Sequence, residues 1–150
     1  MIIPESVAEE LRAQRHHEPG LAQIFDAEWI TIDRSDDVDF LAAFASYEQR
    51  LVQGRSNRGE CGVLALGKVR GYELVIDDGH ARQIASEEAD GQGLRVIVTL
   101  TLLCDAIRQG QLTVPMVESL ADDLLEGEYH LPFRRGGFRA WAMREGLVDP

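Results

Sequence analysis

Tyr72-Glu-Leu-Val-Ile-Asp-Asp78, running directly into Gly79-His-Ala-Arg82, decides the reading of the fold: an apolar strand ends in two carboxylates where a helix begins. In an open parallel sheet, ligands bind beyond the carboxyl ends of the strands, so acids placed there are candidates for a shared metal site. Asp77 and Asp78 are the first candidate site residues on this ground.

Working outward, Leu94-Arg-Val-Ile-Val98 reads as a second buried-type strand, followed by a helix from Thr99 to Gln109 that Gly110 closes. Ala89 to Gly93 is expected to be the loop before it. Upstream, Glu60 opens an apolar helical segment carrying Val63, Leu64, Leu66, Gly67 and Val69, after a turn-rich connection over Gln53 to Gly59. Trp29-Ile-Thr-Ile-Asp33 predicts a short strand, and Asp36 or Asp37 can cap a helix through Phe40, Phe44, Tyr47 and Leu51. Glu5 to about His16 reads as a helix that His17-Glu-Pro-Gly20 ends. Further helices are expected from Pro115 to near Gly127 and around Phe138 to Arg144. Alternating strands and helices of this length predict an α/β fold, a three-layer α/β/α arrangement around a central, mostly parallel sheet.

At 150 residues the chain fits one domain spanning 1–150, long enough to bury a core without staples. Cys61 and Cys104 show no CxxC spacing and no adjacent His cluster, so they read as buried thiols rather than as zinc ligands or a disulfide. No stretch approaches the ~18 continuous apolar residues of a membrane span, and a cytoplasmic location is expected. The net charge of -11 argues against binding nucleic-acid backbone through a broad basic surface. A nuclease remains compatible with that charge, because a carboxylate metal site is itself acidic, and so does a cationic protein partner.

Four segments in this order resemble the PIN-domain superfamily: residues 3–11, Arg58-Gly-Glu-Cys-Gly-Val-Leu-Ala65, Leu74-Val-Ile-Asp-Asp-Gly-His-Ala-Arg82, and Val96-Ile-Val-Thr-Leu-Thr-Leu-Leu103 with Gly110 after it. The resemblance covers Pro4 to about Leu131 and is particularly to the family's bacterial branch of small predicted nucleases, of toxin-antitoxin type. It implies a metal-dependent endoribonuclease, with RNA as substrate, an antitoxin protein as partner, and carboxylates from different elements converging on Mg²⁺ or Mn²⁺. Hard divalent ions take oxygen ligands, which is why Asp and Glu are the residue types this chemistry uses.

Carried onto this sequence, the resemblance makes Glu10, Glu60 and Asp78 the catalytic acids, with Asp77 sharing the metal. Each has a plainer alternative. Glu10 can be a solvated helix charge beside Glu9, and Glu60 a first-turn acid favoured by the helix dipole. Of Asp77 and Asp78, one can cap the following helix while the other is solvated; Asp78 is preferred as the metal ligand, and Asp77 as the cap or as a residue supporting the ligand from behind.

The family's first strand, with its Asp followed by small hydroxyl residues, has no counterpart here, so the domain is expected to be N-terminally incomplete relative to the family. Three situations would reconcile this with a stable sheet: a longer native product, a rearranged and catalytically degenerate interaction module, or a homodimer that supplies the strand. Asp33 is a candidate replacement ligand but reads as an ordinary turn acid. Arg134 to Arg144 is locally basic and aromatic; its spacing favours a helix packing Phe138 and Trp141 on the body over a phosphate-contacting surface.

Overall fold

A computed structural model describes residues 1–51, 57–88, 93–127 and 129–149. Most of the two connections expected at 53–59 and 89–93 lies outside the described residues. The chain divides into two compact units, Met1–Val96 and Ile97–Pro150.

The first unit opens with β1 (Ile2–Pro4) and α1 (Glu5–Gln14), then a 3-10 turn at Pro19–Leu21 leading into α2 (Ala22–Asp26). β2 (Thr31–Asp33), α3 (Val38–Leu51), α4 (Arg58–Arg70), β3 (Leu74–Val75) and α5 (Gly79–Glu87) follow, and β4 (Val96–Ile97) begins at its end. Asp37 starts α3 by accepting a hydrogen bond from the Phe40 N–H at 3.1 Å. Helical spacing then sets Phe40, Ala43, Tyr47 and Leu51 on one face, and all four are buried.

That face packs on α4, the central helix of the unit, which also touches α1, β1 and β3. Seven residues of α4 are buried, among them Gly59, Gly62 and Gly67, so its surface is covered on several sides. The glycines let neighbouring chain come close: a Cβ on Gly62 would stand 2.2 Å from Ser6 Oγ, and one on Gly67 2.6 Å from Leu74 Cδ1. Gly71, with φ +69°, ends α4 in the left-handed conformation, and its N–H donates to Gly67 O at 2.9 Å.

β1 and β2 run parallel, with Ile2 opposite Thr31 and Pro4 opposite Asp33. β3 pairs with β4, the Leu74 N–H donating to Arg95 O at 2.8 Å. Among the described residues the strands therefore form two two-stranded sheets, β1-β2 and β3-β4. Helices and short strands with parallel pairing place the molecule in the α/β class. β1 was not foreseen as a strand: Ile2-Ile3-Pro4 is too short to show alternation, and its pairing is decided by the distant partner Thr31-Ile-Asp33. α2 was not foreseen either: it is five residues long and buries none of them, too short for its apolar residues to stand out as a helical period.

The second unit holds α6 (Thr99–Arg108), α7 (Val114–Glu126) and α8 (Phe138–Arg144). Their core is Leu100, Cys104, Val117, Ala121, Phe138 and Ala142. Phe133 lies 5.8 Å from Phe138 and 5.3 Å from Trp141, ring centre to ring centre. Arg135 is engaged by Glu126 at 2.5 Å and Asp122 at 3.7 Å, so this basic segment packs its aromatics and pairs an arginine internally. Among the described residues no helix is long and apolar enough to cross a membrane.

Candidate acidic site

The first turn of a helix leaves backbone N–H groups without intrahelical partners and concentrates positive partial charge, so a carboxylate is stabilised there. Glu10 of α1 fills that role for α4, its Oε1 accepting from the Gly59 N–H at 2.9 Å. The missing side chain of Gly59 makes room for this carboxylate: a Cβ there would sit 2.7 Å from Glu10 Oε2, and the Glu10 side chain would have to shift. Glu60, the next residue, is half-buried in the same first turn. Two of the expected acids thus share one helix terminus. The neighbouring Cys61 thiol is buried, and burial, reinforced by the Glu48 and Glu60 charges, pushes its pKa up to about 11, which leaves it unreactive at neutral pH.

Asp78 sits elsewhere in the unit, at the start of α5. Its Oδ1 accepts from the Ala81 N–H at 2.7 Å, which makes it the N-cap. From the sequence Asp77 is favoured either as this cap or as a residue supporting the metal ligand from behind; the cap falls on Asp78 instead, because α5 begins at Gly79 and the capping position is the residue immediately before. Asp77, one position earlier, is exposed, as is His80. The Arg82 N–H donates to Asp78 O at 3.0 Å, a bond of the first helical turn.

Asp33 ends β2 as a turn acid: its Oδ1 accepts from the Ser35 N–H at 2.8 Å and also from the Ser35 hydroxyl. It borders a hollow of about 180 Å³ together with Glu5, Ser6, Glu9 and Arg58. Sequence reasoning did not single out these companions, although Glu5 and Glu9 stand at i, i+4 on α1. The hydrogen bond from Arg12 at 2.6 Å, aided by Arg34 and opposed by partial burial, holds the Glu5 carboxyl below its ordinary pKa. Ser6 Oγ is buried there without a hydrogen-bond partner.

Among the described residues no group of three or more His, Cys, Asp or Glu side chains converges closely enough to hold a metal ion. Glu10 is bonded to Gly59 and Asp78 to Ala81, at the starts of two different helices. The donor set that these residues present does not fit a complete divalent-cation site.

A family model described as a PIN domain matches residues 1–134. Comparison with curated proteins and with solved structures gives no significant match.

Proposed function

Since the chain belongs to the PIN-domain family, of nuclease type, we propose that it works as a metal-dependent endoribonuclease, with Glu10, Glu60 and Asp78 as its acids and Asp77 beside them. The observation that supports this reading is the placement of Glu10 and Glu60 at one helix terminus, each where the family resemblance asks for an acid. Completion of the site takes at least one more carboxylate, which the resemblance assigns to a strand without counterpart in residues 1–150. The same reading takes Mg²⁺ or Mn²⁺ as cofactor, RNA as substrate and the cytoplasm as place of action. It also gives the domain a three-layer sheet arrangement and a role as toxin with an antitoxin partner.

A second reading, a catalytically degenerate interaction module, is favoured by one specific observation: the described acids do not converge into a metal-binding group. Thermal melts with and without Mn²⁺, using Glu60→Gln and Asp78→Asn as controls, separate the two. A ligand that binds only the folded state raises its stability, by ~2.7 kcal/mol at a hundred times Kd. The nuclease reading expects a rise in Tm that both variants lose. A cooperative melt indifferent to Mn²⁺ supports the interaction module.

A further inference from the structure

Beside the acidic helix terminus, the hollow of about 180 Å³ bordered by α1, α3 and the start of α4 combines two groups of opposite charge with an apolar wall. The charged groups are Glu9 and Arg58, next in the chain to Glu10 and Gly59, whose hydrogen bond holds that terminus. The hollow's other carboxylates are already engaged, Glu5 by Arg12 and Arg34 and Asp33 by Ser35. Glu9 is exposed, and among the described residues its carboxylate has neither an ion pair nor a hydrogen bond. Arg58 lies with its guanidinium carbon 5.6 Å from the centre of the Phe44 ring and its Nε 3.3 Å from Glu48. A guanidinium has more N–H donors than this one pair uses. Phe40, Leu41 and Phe44 form the apolar wall, and Leu41 is 52% exposed.

A simple cation meets Arg58 there as a like charge, and a phosphate meets Glu9 as one. A planar group with donors on one edge and acceptors on another satisfies both, and its faces suit the phenyl wall. Among the RNA bases, guanine sets two adjacent donors, N1–H and the N2 amino group, beside the acceptors O6 and N7. A carboxylate accepts from the donor pair, and an arginine donates to the acceptor pair. Adenine and cytosine place a bare ring nitrogen next to the amino group, which repels a carboxylate. Uracil flanks its one donor with two carbonyls.

We propose that this hollow is a guanine subsite for single-stranded RNA, with Glu9 and Arg58 as its specificity-determining residues. The inference rests on the reading of RNA as substrate. Its lining comes wholly from the first unit, so base recognition requires neither a metal nor the family's first strand.

The test uses the full chain in excess chelator and fluorescent oligouridines with one central guanosine, inosine, adenosine, cytidine or uridine, read by anisotropy. The guanosine oligomer is expected to bind about tenfold or more tighter than those with adenosine, cytidine or uridine, with inosine, which lacks the N2 amino group, in between. Glu9→Gln, at an exposed position, should remove the preference without lowering Tm, because an amide offers one oxygen where guanine brings two donors. Arg58→Gln should weaken the guanosine oligomer more than the uridine one. Equal binding of all five oligomers, or binding of none, would overturn the subsite, as would a guanine preference that survives in Glu9→Gln. The metal-dependent rise in Tm is read separately, so a guanine preference without that rise would keep the subsite and count against the nuclease alone.

Discussion

Asp78 combines a structural role with a proposed chemical one, and the two separate by substitution. Asparagine retains the side-chain oxygen that accepts from the Ala81 N–H, whereas alanine removes it. Asp78→Ala is expected to cost about 1 kcal/mol of stability and Asp78→Asn much less, as denaturant melts would show. Glu88 offers a pH-dependent counterpart. Burial raises its pKa, but hydrogen bonds from Lys68 at 2.6 Å and Arg50 at 2.7 Å outweigh burial, and the folded pKa lies below the ordinary 4.5. A depressed carboxyl pKa contributes stability above the unfolded value and loses it as pH falls through the folded one. Glu88→Gln should therefore destabilise by about 1–2 kcal/mol at pH 7, with the difference vanishing at pH values below the folded pKa. A constant difference across the acid range would contradict the charge-based origin.

At the scale of elements, α4 decides how the first unit packs, and its glycines are the sensitive positions. Gly62→Ala would place a Cβ 2.2 Å from Ser6 Oγ and 3.0 Å from Pro4, and Pro4 cannot rotate away. A loss of about 1–3 kcal/mol is expected by denaturant unfolding. Gly79→Ala meets nothing within 4 Å and should be neutral or stabilising by about 0.4–1 kcal/mol. The helices α1, α3, α4, α5, α6, α7 and α8 were legible because apolar spacing, caps and closing glycines mark them locally. The single central sheet was inferred from alternation of elements, and alternation says nothing about which strand edges meet. Hence β1 went unseen, and the division into β1-β2 and β3-β4 pairs emerges only from long-range pairing. Among the acids, Glu10 and Glu60 were legible as residue types at family positions, but the Glu10–Gly59 bond joins positions 49 apart and leaves no local trace.

For the whole molecule, the family match over residues 1–134 and the shared helix terminus of Glu10 and Glu60 favour a nuclease, while the unconverged acids restrain that reading. The strongly acidic balance predicts that any RNA association is local and metal-assisted rather than spread over the surface. Raising salt should therefore weaken RNA binding only shallowly compared with a broadly basic protein, as titrations at several salt concentrations would reveal. The most direct measurement is cleavage of RNA in Mn²⁺, in Mg²⁺ and in excess chelator by the chain completed with the family's first strand and its Asp, beside Glu60→Gln in the same completed chain at matched Tm. Cleavage that requires the metal and disappears in Glu60→Gln is the predicted result; cleavage unaffected by the substitution, or none under any metal condition, would contradict the nuclease assignment.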